Sequence, residues 1–583
     1  MKIVKLFNCL IVRMRNWSWL SYFLIFSIGF IVFLYLLVPP GILCPDSFYH
    51  TKMALMIKEQ GLIQDFPWTQ FTTYKDLFVD HHFVYHLFLI PFLSLPTPDN
   101  LDIFSAELDP LIKAKLGTAF FAALVFLFIY WLCRRLKIKL PFVWTLSGFL
   151  VSYFILRLSL IRAPALSLIL LILGFYLVLK KKYLGLFFVC FFYVWTHGTW
   201  PLILVTVILY CFANATKKMV DKWIEIQNQI SKIKNQNYKS KIKNFTFYIV
   251  ILHLAFYILH FTRSFFNKSN LKLIFTCMLG LSLGLVINPY FPKTLPFYWF
   301  QTIKIGVLNY QDKIAVGAEW YSPDPMMLFF SILPILIPWL ISLAWFITNK
   351  KNQKSSSWFF LFVSSFFLLY TLKARRNVEY FIPSAIFLNG LIFTQIAKKI
   401  SWINLKKRLK KCFQGPNNIF YFMTTIILSV LLIFFIGFYL NFSIKNLFQS
   451  YTSESRSLNS LQMASHWLKT NTQPKEIIFQ SNWAIFPHLF YFNTQNYYIN
   501  GLDQTFMYEK DKELYQDWLD LVSYHVDPNQ TAQILKEKFK ASYVLIDKND
   551  ERFAKLIKKS KFLKQVYIDN QAIIYQIDFN YVH

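Results

Sequence analysis

The sequence predicts a polytopic α-helical membrane protein with a C-terminal extracytoplasmic α/β domain. Of its 583 residues, 56% are hydrophobic and 16% are charged, whereas an average soluble chain carries about 25% charged residues. Long apolar runs recur between residues 20 and 440, and a helix needs about 20 such residues to cross a bilayer. From residue 441 onwards, charges of both signs appear and the apolar runs become short.

The distribution of charge argues against a nucleic-acid-binding protein. The formal net charge is +31, but residues 441–583 are nearly neutral, with 16 Lys and Arg against 15 Asp and Glu. The excess of Lys and Arg therefore lies in short clusters between the apolar runs, as in the cytoplasmic loops of membrane proteins. We expect no nucleic-acid partner.

The apolar runs predict about 11–13 transmembrane helices, and 11 is the count that best fits the loops. The first three lie at about 20–39, 111–133 and 141–156, the next three end near 180, 197 and 213, and the last five lie at about 273–287, 326–347, 357–373, 377–397 and 419–440. The basic N-terminal segment is then cytoplasmic and the C-terminus is external. One run, Phe245–Phe261, is basic on both flanks, so it is interfacial, re-entrant or an additional span.

The predicted domains follow from these spans. Residues 1–440 form the transmembrane domain, with a first external loop at 40–112 and a later external loop at 288–325. The piece FVYHLFLIPFL in the first loop is too short to span and is predicted to lie in the interface. Residues 441–583 form the soluble domain, in which the segments EIIFQ, SYVLIDK, KQVYID and AIIYQID read as strands and the segments ESRSLNSLQMASHWLKT and ERFAKLIKKS as helices.

Several common functional motifs are missing. The seven cysteines are spread apart and form neither a disulfide framework nor a CxxC metal site. No Walker loop, GxGxxG, HExxH or GxSxG pattern occurs. Nucleotide-driven transport and ordinary hydrolase chemistry therefore lose support.

Polar residues cluster immediately after the first predicted span. Asp46 lies where that helix should end, and His50 follows at the spacing of one helical turn. A second cluster in the same loop contains Asp80, His81, His82 and His86. Acidic and imidazole groups at a membrane boundary are costly without a partner or a function. The alternative is a solvated loop that happens to be polar.

Two further groups lie on the same predicted face. Glu319 precedes Trp320 in the later external loop, and four arginines occur near span ends: Arg157, Arg162, Arg375 and Arg376. A carboxylate can remove or orient a proton of an acceptor, and arginines bind phosphate through paired hydrogen bonds. The set suits transfer from a lipid-linked phosphate.

Each of these groups also has a structural interpretation. Glu319 could cap or solvate a loop, and Arg162 could anchor a helix end beside a proline. Arg375 and Arg376 could form a short basic cytoplasmic connection if the number of spans shifts by one. His197, in the segment THGTW, could be a satisfied interfacial histidine.

The order of these features resembles the GT-C superfamily of membrane glycosyltransferases, in particular the oligosaccharyltransferase catalytic subunit and related bacterial polyprenyl-phosphate-sugar-dependent transferases. Asp46, Tyr49 and His50 match the family's D-x-Y-Y-H-like motif, with Phe48 at one tyrosine position. Val79–His82 resembles its histidine-rich stretch. The pair Glu319 and Trp320, and the C-terminal extracytoplasmic domain, are similar in outline.

The resemblance implies an inner-membrane enzyme that moves a sugar or glycan from a polyprenyl-phosphate or diphosphate carrier to a protein, lipid or glycan acceptor outside the cytoplasm. Asp46 would be the base or the acceptor-orienting carboxylate, and Glu319 would assist it. The substrate-binding residues would be Tyr49, His50, Asp80, His81, His82, Arg162, Trp320, Arg375 and Arg376. The localisation implied is a bacterial inner membrane, where membrane lipids surround the protein.

The sequence departs from the family at two places. The W-W-D-Y-G acceptor motif is absent, with Trp483 at a comparable position, and no D-x-D follows the third span. The cofactor is left open: a divalent cation, Mg²⁺ or Mn²⁺, held by Asp46 and Glu319 is one alternative and a metal-free reaction is the other. A lipid or polysaccharide transporter and a non-catalytic scaffold derived from the GT-C fold remain the rival functions.

Overall fold

A computed structural model describes residues 18–97, 102–234, 246–349, 353–399, 418–453 and 455–581. The predicted basic N-terminal segment lies outside the described residues, as does most of the basic segment predicted between residues 398 and 413.

Helices form most of the described chain up to residue 453, including nearly all of the predicted spans. They are α1 (Ser18–Leu37), α2 (Asp46–Gln60), α3 (Phe83–Leu93), α4 (Ile103–Arg135), α5 (Pro141–Leu146), α6 (Ser152–Leu158), α7 (Pro164–Leu179), α8 (Tyr183–Val194), α9 (Pro201–Lys234), α10 (Thr246–Phe265), α11 (Lys268–Val286), α12 (Thr294–Trp299), α13 (Pro325–Thr348), α14 (Ser355–Lys373), α15 (Val378–Lys399) and α16 (Asn418–Ser453).

Among the described residues, seven helices are long and apolar enough to cross a membrane: α1, α4, α9, α11, α13, α14 and α15. An eighth span results if the pair α5 and α6 is counted as one. Each of the 11 predicted runs falls on a described helix or on this pair. The chain is a multi-pass membrane protein with a sheet-containing C-terminal part, so the predicted fold class is confirmed.

The third predicted span is not a straight helix. Helices α5 and α6 meet at an angle of 88°, and a short 3-10 segment that begins with Ser147 and Gly148 lies between them. Adjacent Gly and Ser residues are a common cause of helix kinks. Helices α7 and α8, with 16 and 12 residues, are also shorter than the predicted spans. The ambiguous run Phe245–Phe261 falls largely in helix α10, which packs against α9.

Local signals set several helix boundaries. The Asp102 side chain accepts a hydrogen bond from the Ser105 backbone N–H, so α4 begins eight residues before the predicted span. Asn267 caps α11 in the same way. Helices α7, α13 and α21 (Pro528–Glu537) each have a proline at the first turn, where its missing N–H costs nothing.

The C-terminal part is built on a mixed sheet of five strands in the order β4-β3-β5-β7-β6. Its strands are β3 (Ile477–Gln480), β4 (Tyr497–Tyr498), β5 (Ala541–Asp547), β6 (Leu563–Ile568) and β7 (Ala572–Ile577), and its other helices are α17 (Gln462–Asn471), α18 (Phe486–Phe492), α19 (Thr505–Lys510), α20 (Lys512–Val522) and α22 (Glu551–Lys559). Strand β3 pairs in parallel with β4 and β5, whereas β7 is antiparallel to β5 and β6. The four predicted strands are confirmed, while the first predicted helix is shorter than expected.

The C-terminal part rests on the first loop. Strand β1 (Gly41–Ile42) pairs antiparallel with β2 (Arg456–Ser457), and the Trp68 indole donates a hydrogen bond to the Thr494 carbonyl at 2.8 Å. The Phe71 backbone N–H also donates to the Ile499 carbonyl. Because helix α16 runs across residue 441, the predicted domain boundary lies inside a helix. These contacts bring the sheet over the polar residues that follow α1.

Candidate functional site

A cavity of about 780 Å³ lies between the first loop, the segment 301–320, several helix ends and the C-terminal part. Ten of the predicted site residues line it: Asp46, Tyr49, His50, His81, His82, Arg162, Glu319, Trp320, Arg375 and Arg376. Asp80 is not among the lining residues and is 2% exposed. The structure therefore places Asp80 behind the cavity wall, where it cannot contact a substrate directly.

Glu319 is held by three arginines. Its Oε2 accepts hydrogen bonds from Arg157 and, at 2.9 Å, from Arg162 Nη1. Its Oε1 accepts from Arg376 Nη1 at 2.8 Å. Each arginine comes from a different element, so the carboxylate joins α6, the turn before α7 and the 3-10 turn before α15.

Two more carboxylates complete this network. Asp46 Oδ2 lies 3.2 Å from Arg162 Nη2. Glu379, which sequence analysis missed, accepts a hydrogen bond from Arg157 Nε at 2.9 Å. Three guanidinium charges therefore balance three carboxylate charges, and a phosphate must alter this balance when it binds.

Trp320 and Arg375 occupy different positions relative to this network. The Arg376 guanidinium lies over the Trp320 ring, 4.3 Å from its centroid. The electron-rich face of the indole attracts this guanidinium cation. The Trp320 carbonyl accepts a hydrogen bond from Asn309 Nδ2 at 2.8 Å, which fixes the loop. Arg375 lines the cavity, and within the described chain its side chain has no ion pair.

The network gives its two cavity-lining carboxylates opposite titration behaviour. Burial raises the pKa of Glu319, but the surrounding guanidinium groups outweigh it and hold that pKa well below its ordinary value. Burial raises the pKa of Asp46 above its ordinary value, although Arg162 opposes the shift. Glu319 is therefore a firmly ionised anchor, while Asp46 is the more readily protonated carboxylate.

The histidines form a second polar group beside the carboxylates. The ring centroids of His81 and His82 are 3.8 Å apart, and that of His82 is 5.3 Å from His197. Burial lowers the pKa of His81 to about 4. His197 Nδ1 lies 2.6 Å from Thr199 Oγ1, and His197 also lines the cavity. The imidazoles here are therefore neutral at physiological pH.

The carboxylates do not fit a divalent cation in this arrangement. Both oxygens of Glu319 already accept hydrogen bonds from guanidinium groups, so a cation there would face three positive charges. Within the described ranges, no three His, Cys, Asp or Glu side chains are placed to hold a metal ion. Asp46 and Glu319 act here as arginine partners.

The C-terminal part supplies lining residues that the sequence did not assign to the site. Trp483 follows β3, and Asp503 follows β4. Ligands of open sheets bind outside the carboxyl ends of parallel strands, and β3 and β4 are parallel neighbours. The register of such short strands is not visible in the sequence, which is why Asp503 was missed.

Three buried polar atoms of lining residues have no hydrogen-bond partner among the described residues. They are Arg157 Nη2, Gln301 Oε1 and Thr302 Oγ1. Arg157 was singled out in the sequence, but Gln301 and Thr302 carry no motif that could have indicated them. Unpaired donors and acceptors of this kind are costly unless a ligand contacts them.

Comparison with solved structures identifies the fold. The apo oligosaccharyltransferase of Archaeoglobus fulgidus superposes with a TM-score of 0.53 at 12% identity, covering 96% of this chain and 74% of that chain. AglB from the same archaeon, in complex with an inhibitory peptide and a dolichol-phosphate, gives 0.54 at 12% identity and the same coverage. ArnT from Cupriavidus metallidurans bound to undecaprenyl phosphate gives 0.49 at 11% identity, covering 97% of this chain and 99% of that chain.

No protein-family model matches the sequence, and no curated protein matches it. The chain shares its fold with these two archaeal structures and is a multi-pass membrane protein. The fold is of the GT-C type.

Proposed function

We propose that the protein is an integral membrane glycosyltransferase that moves a sugar or glycan from a polyprenyl-phosphate or diphosphate carrier to an extracytoplasmic acceptor. The observation that carries the proposal is the network in which Asp46 and Glu319 share the Arg162 guanidinium at one wall of the cavity. Acceptor-directed carboxylates and phosphate-binding guanidinium groups are thereby within reach of one sugar phosphate.

The arginines would hold the carrier phosphate. Arg375 has no carboxylate partner in the described chain, so it is the first guanidinium available to an entering phosphate. The free Nη2 of Arg157 and the hydroxyl of Thr302 offer further donors. Displacement of Glu319 from Arg376 would release a second charge for the phosphate.

Asp46 would orient the acceptor. It is a quarter exposed and makes one ion pair, whereas both oxygens of Glu319 are engaged. Trp320 and Trp483 offer flat apolar faces suited to sugar rings. Because Trp483 and Asp503 come from the C-terminal part, we infer that this part forms the acceptor side of the site.

The structural neighbours support a lipid carrier. The AglB structure contains a dolichol-phosphate and a peptide, and a related arrangement here would place the carrier along the helices and the acceptor under the sheet. The proposed location is a bacterial inner membrane, with the N-terminus in the cytoplasm and the C-terminal part outside, because the Lys and Arg excess lies between the apolar runs.

The test is a transfer assay with protein purified into lipid nanodiscs. Radiolabelled undecaprenyl-phosphate and undecaprenyl-diphosphate sugars serve as donors, and a threonine peptide, octyl glucoside, a sequon peptide and water serve as acceptors. Wild-type protein should release or transfer label, and Asp46→Asn should reduce the rate by about 10²-fold or more. Asp65→Asn is the control, because Asp65 is an exposed carboxylate of the same loop. Equal rates for Asp46→Asn and wild type would remove Asp46 from the site.

A further inference from the structure

A buried chain of hydrogen bonds ends at the cavity wall. Asp80 Oδ2 lies 2.7 Å from His86 Nδ1, and His86 Nε2 lies 2.9 Å from His50 Nδ1. Asp80, His86 and His50 are all buried, at 2%, 0% and 2% exposed, and of the three His50 lines the cavity. Of the four ring nitrogens of His86 and His50, Nε2 of His50 is the one that takes no part in these two hydrogen bonds.

The hydrogen bonds determine which nitrogen of each ring carries a proton. A carboxylate only accepts, so His86 Nδ1 donates to Asp80, and in the tautomer with a single ring proton His86 Nε2 is an acceptor. With that tautomer, His50 Nδ1 donates to His86, which leaves a lone pair on His50 Nε2. In a catalytic triad a buried carboxylate orients an imidazole base directly. Here the carboxylate is that of Asp80, the imidazole of His86 lies in between, and the base is His50.

The ring of His50 is also held in place by its neighbours. Its centroid lies 4.8 Å from that of His82 and 5.6 Å from that of Tyr85, in edge-to-face contacts. Asp46 is one turn earlier on the same helix α2. A group that Asp46 orients can therefore also reach His50 Nε2.

Neither cavity carboxylate of the arginine network suits the task of proton acceptor. Glu319 is bound by three guanidinium groups that favour its charged form. Asp46 is paired with Arg162, and this ion pair partly neutralises the negative charge that Asp46 presents to the acceptor. His50, in contrast, makes no ion pair with a described carboxylate or guanidinium, and its imidazole offers an oriented lone pair in the same space.

We propose that His50 is the general base of the transfer reaction, that Asp80 and His86 are its positioning residues, and that the acceptor is a hydroxyl group. This inference rests on the proposed function. His50 Nε2 takes the proton of the acceptor hydroxyl as the acceptor oxygen forms a bond to the anomeric carbon. The bond from that carbon to the phosphate oxygen breaks, and the carrier phosphate leaves with the electron pair.

The choice of a hydroxyl follows from the base. Loss of a proton to imidazole turns a hydroxyl into a strong nucleophile, whereas the lone pair of a carboxamide nitrogen is delocalised into its carbonyl. A carboxamide therefore needs more than an imidazole for activation. The absence of the W-W-D-Y-G motif from the sequence agrees with an acceptor other than an asparagine.

The groups around His50 keep its ring neutral. Those that face it are Tyr49 on α2, Tyr85 and His86 on α3, His81 and His82 before α3, His197 before α9 and Arg162 before α7. Burial, followed by these cationic and imidazole neighbours, lowers the pKa of His50 well below its ordinary value. The base is thus unprotonated at physiological pH, and transfer should decline only as the pH falls towards that lowered pKa.

The decisive variant is Asp80→Asn. Asp80 Oδ1 accepts a hydrogen bond from the His82 backbone N–H at 3.1 Å, so the Asn oxygen remains on that donor and its NH₂ faces His86. His86 must then accept at Nδ1 and donate at Nε2, and His50 acquires a proton on the nitrogen that faces the cavity. A tautomer change of this type lowers the rate of a serine protease by about 10⁴-fold.

The experiment compares wild type with Asp80→Asn, His50→Asn, His50→Gly and the control His525→Asn, whose ring is exposed. We expect transfer to a threonine peptide or octyl glucoside to fall about 10²- to 10⁴-fold in Asp80→Asn and in His50→Asn. Binding of undecaprenyl phosphate should stay within about twofold, which shows that the fold is kept. Added imidazole should restore transfer by His50→Gly but not by Asp46→Asn.

Three results would overturn the inference. The first is transfer by Asp80→Asn and His50→Asn at the wild-type rate. If Asp46→Asn is still inactive in that case, the proposed function stands and only the role of His50 is wrong. The second is a wild-type protein that uses the sequon peptide and none of the hydroxyl probes. The third is the absence of transfer by wild type to every acceptor, which removes the proposed function as well.

Discussion

Asp46 and Glu319 bind the same guanidinium, that of Arg162, through its two terminal nitrogens. Nη2 lies 3.2 Å from Asp46 Oδ2 and Nη1 lies 2.9 Å from Glu319 Oε2. The two carboxylates come from loops that are far apart in the sequence, so one planar side chain fixes their separation. The fork of arginine is suited to this bridging role because its donors keep a rigid geometry.

The bridge predicts that Arg162→Lys will impair the enzyme although the charge is kept. A lysine ammonium is a single point donor and cannot hold both carboxylates at the spacing that arginine imposes. We expect transfer to fall by about 10²-fold, the effect of misplacing a catalytic group by about 1 Å. The transfer rate in nanodiscs is the measurement, and Arg263→Lys, at an exposed position of α10, is the control. Unchanged transfer by Arg162→Lys would show that the bridge is dispensable.

Glu319 occupies guanidinium groups that a carrier phosphate also needs. Glu319→Gln should therefore bind undecaprenyl phosphate more tightly than wild type, by about tenfold, which corresponds to ~1.4 kcal/mol. The physical reason is that the local network changes from neutral to one excess positive charge. Binding is measured by microscale thermophoresis against Glu513→Gln, an exposed control. Weaker binding by Glu319→Gln would mean that Glu319 supports the phosphate site instead of competing for it.

The sequence sufficed for the elements whose signals are local. Eleven apolar runs fall on described helices or on the bent pair, because apolar length alone defines a spanning segment. The strands β5, β6 and β7 were also predicted, since each is a short β-branched and aromatic run. The bend between α5 and α6 was not predicted, because a pair such as Ser147 and Gly148 permits a kink without requiring one.

Ten of the predicted site residues lie at one cavity, but their arrangement could not be derived from the sequence. Asp46 and Glu319 stood out as carboxylates on the predicted external face, and Arg162 as a basic residue on that same face. Asp80 was assigned to the substrate, yet its partner is His86, and this pairing depends on the loop fold between them. Glu379 was missed since it follows Arg375 and Arg376 and reads as part of a basic connection. Tertiary contacts that span distant segments leave no trace in one sequence.

The low pKa of Glu319 predicts how acid affects stability. Although burial opposes it, the guanidinium groups hold the folded-state pKa below the ordinary 4.5. The unfolded chain therefore takes up the proton first as the pH falls. The stabilisation from Glu319 is fully present above pH 4.5 and is lost as the pH drops towards the folded-state value.

The corresponding measurement is the difference in Tm between wild type and Glu319→Gln in detergent. At pH 7 we expect wild type to be more stable by about 1–3 kcal/mol, the cost of leaving buried charged donors unpaired. The difference should shrink as the pH is lowered through 4.5 and below. Glu513→Gln should show no such pH dependence. A Tm difference between wild type and Glu319→Gln that stays constant across this pH range would contradict a lowered pKa for Glu319 in the folded state.

Two glycines determine how closely helix α11 approaches α8. A Cβ on Gly280 would lie 2.6 Å from the Phe187 carbonyl oxygen and 2.9 Å from Cys190 Cβ. A Cβ on Gly284 would lie 2.7 Å from the Phe191 carbonyl oxygen. The four-residue spacing places both glycines on one face of α11, as in the small-residue contacts that bring membrane helices together.

Gly280→Ala should therefore destabilise the protein even though alanine is the better helix former. The Cβ would meet backbone, which cannot move aside as a flexible side chain can, so the two helices must separate. We expect a loss of about 1–3 kcal/mol, the usual cost of overpacking, seen as a lower Tm in nanodiscs. Gly437→Ala is the matched control, since a Cβ there meets nothing within 4 Å and α16 gains helix propensity. An unchanged or higher Tm for Gly280→Ala would show that α8 and α11 are not in close contact.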